Sequence, residues 1–125
     1  MPTTSFASLD AQGVKVAARL EGGVLRLVMS GSLEARDPSA LFDPYWSNVD
    51  QTLRRKGVKQ VELDICGLDY MNSSGILTLV RWAMTAKTDP VYRIVIRHDR
   101  NLTWQKVNVP VLAKLAPAVV SMAIP

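Results

Sequence analysis

The stretch Val61-Glu62-Leu63-Asp64-Ile65, followed after Cys66-Gly67 by Leu68-Asp69-Tyr70-Met71-Asn72-Ser73-Ser74-Gly75-Ile76, reads as a strand leading into a helix. Val61, Leu63 and Ile65 alternate with Glu62 and Asp64, the period of a strand with one buried face. Asn72-Ser73-Ser74-Gly75 has the composition of a helix start, because Asn and Ser oxygens accept bonds from first-turn N–H groups. From Ile76 to Ala86 the chain is apolar apart from Thr78, Arg81 and Thr85. That run is too long for a strand and reads as a well-buried helix, closed by Asp89-Pro90. Leu68 to Asn72 reads as a short connection between strand and helix.

The same logic extends both ways. Upstream, Val14, Val16, Ala18 and Leu20 alternate with Lys15, Ala17 and Arg19, and a new alternation begins at Val24. Gly22-Gly23 between them marks a tight antiparallel hairpin, since glycine accepts positive φ without steric cost. Residues 1–13 read as a loose arm. Asp43-Pro44 looks like an N-cap with proline at the first helical position. Trp46, Val49 and Leu53 then fall at helical spacing, and Gly57 ends the helix. Downstream, Tyr92, Ile94 and Ile96 form a fourth alternating strand. Residues 101–107 and 111–115 read as two short helices, and 119–124 as a last strand.

The expected fold is one α/β domain over residues 1–125, with a mixed sheet of about five strands. Lys15, Arg19, Arg26, Glu62, Asp64, Arg93 and Arg97 fall on one side of their strands. A sheet buried on both faces would show continuous apolar runs instead. The helices are therefore expected to cover one face only. If the strands at 61–65 and 92–96 are neighbours, the acidic pair and the arginine pair should meet.

Composition narrows the chemistry. The 125 residues are 48% hydrophobic and 21% charged, ordinary for a globular domain. No apolar run approaches the roughly 20 residues of a membrane-spanning helix. The N-terminus lacks the basic cluster and apolar stretch of a signal peptide, and a cytoplasmic location is expected. One Cys and one His cannot assemble a Cys/His zinc site, so no metal site is expected. No Gly-x-x-x-x-Gly-Lys loop is present, and no cofactor is expected. The net charge of +4 lacks the focused patch of a nucleic-acid binder.

Each singled-out residue also has a plain structural role. Asn72 to Gly75 is first of all a cap; alternatively, one hydroxyl carries phosphate at the positive end of the helix dipole. Gly75 either admits a close approach or is merely small. Arg54, Arg55, Lys56 and Lys59 serve the negative helix end, or dock an acidic surface. Trp46 and Trp82 read as core, but an exposed Trp82 would suit an interface anchor. His98, within Arg97-His98-Asp99-Arg100, reads as solvated. Cys66 has no context that would activate a thiol.

The segment Leu68 to Ile76, placed after a strand and before a buried helix, resembles the signature of STAS domains. In the anti-sigma factor antagonists of that family the motif runs apolar or aromatic, Asp, Ser, Ser or Thr, Gly, aliphatic. The glycine hairpin, Gly31-Ser32-Leu33 and the strand–helix alternation fit as well. The resemblance spans residues 14–124, and its specific part is 63–76. It implies a mixed sheet with helices on one face, in agreement with the charge pattern.

It also implies a phospho-regulated interaction switch rather than an enzyme, with no catalytic residues. The acceptor would be Ser73, with Ser74 as second candidate, and the expected partner surface comprises Asn72, Ser73, Ser74 and Gly75, to which Trp82 is added on its own account as an interface anchor if exposed. Unphosphorylated, such a protein binds a serine kinase or anti-sigma factor; phosphorylation releases it and a protein phosphatase restores binding. Asn72 stands where the family usually has aspartate. The alternative is therefore an unphosphorylated scaffold module of the same fold. An enzyme using His98 with Asp64 or Asp69 is a third reading. A monomer or weak dimer is expected, with no direct nucleic-acid contact.

Overall fold

The computed structural model describes residues 8–124. Its elements are β1 (Leu9–Ala11), β2 (Val14–Glu21), β3 (Val24–Leu33), α1 (Ser39–Lys56), β4 (Gln60–Met71), α2 (Ser73–Thr88), β5 (Arg93–Arg97), α3 (Thr103–Leu115) and β6 (Val120–Ala123). The strands form one six-stranded sheet in the order β1-β2-β3-β4-β5-β6. The first three are antiparallel, and β3 to β6 are mutually parallel. The sheet has one strand more than expected, because part of the expected arm pairs with β2 as β1. The rest of that arm, residues 1–7, lies outside the described residues.

Gly22 and Gly23, both at positive φ, turn β2 into β3 as the hairpin reading requires. Along every long strand one parity is buried. Val14, Val16, Leu25, Leu27, Met29, Val61, Leu63, Ile65, Ile94 and Ile96 meet Phe42, Trp46 and Leu53 of α1 and Leu79, Trp82 and Ala83 of α2 in a single core. The opposite parity forms an open face. There Glu62 lies opposite Arg26 across β3–β4 and binds its guanidinium. Arg97 reaches the same carboxylate at 3.7 Å from β5. The expected meeting of acidic and arginine pairs thus holds for Glu62 and Arg97, while Asp64 instead accepts the Cys66 N–H.

Three boundaries differ from expectation. First, α1 begins at Ser39, and Asp43 is not its cap. Pro44 sits inside the helix, where its missing N–H costs only one bond, to the solvent-exposed Ala40. Second, α3 is continuous across Pro110 for the same reason. Third, β4 continues through Leu68 to Met71, the expected connection. Two register shifts against β3, between Val28 and Ser30 and between Gly31 and Ser32, break the alternation. Among the described residues, no helix is long and apolar enough to cross a membrane.

Candidate functional site

The extended ends of β3 and β4 deliver the chain to the start of α2. Asn72 is the N-cap: its backbone is extended and its Oδ1 accepts from the Gly75 N–H at 2.9 Å. Its Nδ2 donates to the Ala35 carbonyl at 2.8 Å, and its N–H donates to the Leu33 carbonyl at 3.0 Å. One residue thereby fixes both the helix start and the β3–α1 connection. Gly75 is pressed against the layer beneath. A Cβ there would lie 2.6 Å from Leu33 Cδ2 and 2.8 Å from Met71 Cγ. The close approach expected at Gly75 is real, and it is made by the protein's own core.

Ser73 and Ser74, the first two residues of α2, are both exposed. Their N–H groups belong to the first turn, which has no intrahelical acceptors, and the first turn holds no acidic side chain. A phosphate on Ser73 would stand at the positive end of the dipole in open solvent, without displacing core atoms. At 3.6 residues per turn, Ser73, Leu77 and Met84 fall within roughly 40° of one another. Leu77 is 51% exposed and Met84 41%. Val111 and Leu115 of α3 are exposed as well, and Lys87 of α2 donates to the Leu115 carbonyl at 3.2 Å. An apolar stripe therefore begins one turn beyond Ser73. The polar motif drew the sequence reading away from these residues; their helical spacing from Ser73 was the available signal.

Trp82 is not on this surface. It is 4% exposed and stacks on Trp46, with ring centroids 4.6 Å apart and planes 5° from parallel. Its Nε1 donates to the Tyr92 hydroxyl at 2.9 Å, which donates to Asp50 at 2.6 Å. Arg54 binds the same carboxylate through Nε. The Trp46 indole donates to Thr78 Oγ1, which donates to the Gly75 carbonyl. Trp82 thus belongs to the framework that seats α2, and the partner-anchor reading is corrected by its burial.

The remaining candidates lie apart. Arg54 is drawn inward to Asp50, while Arg55, Lys56 and Lys59 stay exposed. Cys66 lies on the open sheet face, and burial, then Asp64, push its thiol up to about 11, so it is protonated at neutral pH. His98 is buried rather than solvated. It makes no hydrogen bond to Asp64, which accepts from Cys66, or to Asp69, which is exposed.

No protein-family model matches the chain. No curated protein matches it either. Solved structures do. A chain in the crystal structure of the diguanylate cyclase SiaD in complex with its activator SiaC, from Pseudomonas aeruginosa, superposes with a TM-score of 0.69 at 17% identity. The match covers 95% of this chain and 99% of that one. An anti-sigma factor antagonist from Mycobacterium paratuberculosis superposes with a TM-score of 0.62 at 14% identity, covering 87% of this chain and 88% of that one. At these identities the likeness is one of fold: the chain has the STAS-like fold of an anti-sigma factor antagonist.

Proposed function

We propose that this protein is a phospho-regulated interaction module of the anti-sigma factor antagonist type, and not an enzyme. Its partner is a serine kinase or anti-sigma factor that docks on α2. The observation that carries this reading is the placement of Ser73, exposed at the head of α2 and in line with exposed Leu77 and Met84. An apolar stripe supplies contact area, and a hydroxyl at its end supplies control. Phosphate adds about −1.5 to −2 charge and three acceptor oxygens, which a partner surface fitted to a neutral serine must desolvate. The scaffold should barely feel the change, because Ser73 is exposed at the helix start. The fold neighbours support the reading in kind: one is an antagonist, the other comes from a complex of an activator with the enzyme it activates. The test is the affinity of a candidate kinase or anti-sigma partner for wild type, Ser73→Ala and Ser73→Asp. The aspartate variant is expected to bind at least about tenfold more weakly, a loss of roughly 1.4 kcal/mol. Equal affinities for all three contradict the switch.

A second reading rests on Asn72. Its amide makes a bond to Ala35 that a carboxylate cannot donate, so the position serves the fold without the usual aspartate. On this reading the module binds constitutively. Intact mass of the protein from its native cells separates the two: phosphate on Ser73 supports the switch, and its absence under all growth conditions supports the scaffold.

A further inference from the structure

At the far edge of the sheet, the C-terminal ends of β5 and β6 and the flank of α3 border an open cavity of about 380 Å³. That volume is within the range of small-molecule sites, and the ends of parallel strands are where α/β sheets commonly place ligands. Its polar lining is His98, Arg100 and Lys106, and its apolar wall includes Pro110, Met122 and Ile124. No acidic side chain lines it. Neither Arg100 nor Lys106 forms an ion pair among the described residues.

His98 supplies the independent observation. Its backbone N–H donates to the Ala123 carbonyl at 3.0 Å, which fixes it between the two strands. Its side chain is only 6% exposed, and its Nδ1 has no hydrogen-bond partner. Among the described residues it is the one buried side-chain nitrogen or oxygen in that condition. A buried polar atom without a partner is uncommon in native proteins, and here it belongs to a residue that lines the cavity. Burial, then Arg100, lower its basicity, with the Asp99 carboxylate opposing them, which favours the imidazole form with one donor and one acceptor nitrogen. The first turn of α3 holds no acidic residue and its N-cap makes no side-chain bond, so the dipole adds positive potential.

We propose that this cavity binds a small amphipathic carboxylate, its headgroup between Arg100 and Lys106 and hydrogen-bonded to His98, its apolar body against Pro110, Met122 and Ile124. The site is separate from the Ser73 surface and does not rest on the switch.

Sodium octanoate titrated into the full chain, followed by amide and imidazole NMR shifts, tests this. Saturable shifts centred on His98, Lys106 and Ala123 are expected, with octan-1-ol at least about tenfold weaker because it lacks the charge. The double variant Arg100→Ala/Lys106→Ala should bind octanoate at least about tenfold more weakly at unchanged melting temperature, both side chains being exposed. Met122→Glu, which places a like charge on the wall, should also weaken it. Shifts that do not saturate or that centre elsewhere, equal affinity for octan-1-ol, or undiminished binding by the double variant would overturn the proposal.

Discussion

Asn72 joins two segments that are distant in sequence: its Nδ2 donates to the Ala35 carbonyl at 2.8 Å while its Oδ1 accepts from the Gly75 N–H at 2.9 Å. The amide thus acts as donor to one loop and acceptor from one helix, which an ionised aspartate, having no donor, does not reproduce. Asn72→Asp keeps the cap, since Asp and Asn cap about equally well. It loses the donor and sets a carboxylate against a carbonyl. The expected net loss is about 1 kcal/mol, read as a fall of a few degrees in melting temperature. An equal or higher melting temperature would show that the Ala35 contact contributes nothing.

Gly75→Ala brings two effects into opposition. Alanine is favoured over glycine inside a helix by about 1 kcal/mol. Its Cβ, however, would intrude on Leu33 and Met71, and overpacking costs typically 1–3 kcal/mol. Both contacts are with buried side chains that have little room to yield. Urea denaturation should therefore show a net loss of about 1 kcal/mol, and a gain would mean that the layer beneath α2 relaxes freely.

Alkaline pH probes the helix layer. Tyr45 is buried, and burial pushes its hydroxyl up to about 12 from an ordinary value of 10. The folded state holds the proton more tightly than the unfolded state. That contribution is therefore fully present below about pH 10 and is lost as pH rises towards 12. It is on the order of 2–3 kcal/mol. Stability measured from pH 9 to 12 should fall less steeply in Tyr45→Phe than in wild type; parallel curves would show that Tyr45 ionises freely in the native state.

On the docking surface, Leu77→Asp and Met84→Glu change exposed side chains and should alter stability by no more than about 0.5 kcal/mol. Each should weaken partner binding at least about tenfold by placing charge in the apolar stripe. Wild-type affinity in both variants would move the interface off α2.

Much of the architecture is legible in the chain, because side-chain period and burial agree wherever strands are regular. The Val61–Ile65 alternation, the glycine hairpin and the one-sided charge pattern lead directly to a sheet covered on one face. Legibility fails where the backbone departs from its period. Two register shifts hide the second half of β4, so Leu68 to Met71 look like a loop. Pro44 and Pro110 read as boundaries, yet each interrupts its helix by only one hydrogen bond. At the site, the cap and the exposed serine follow from residue type. The Ala35 contact is non-local, and no spacing rule encodes it. Trp82 and His98 mislead for the same reason: stacking on Trp46 and the position of β6 decide their burial, and both partners are remote in sequence.

Charge at Ser73 is expected to control partner binding without disturbing the fold. The most direct measurement compares protein carrying phosphoserine at position 73 with unmodified protein, titrated against one kinase or anti-sigma partner, with melting temperatures recorded for both. Affinity at least about tenfold lower for the phosphorylated form, with coinciding melting temperatures, is expected. Equal affinities, or an affinity loss accompanied by unfolding, would contradict it.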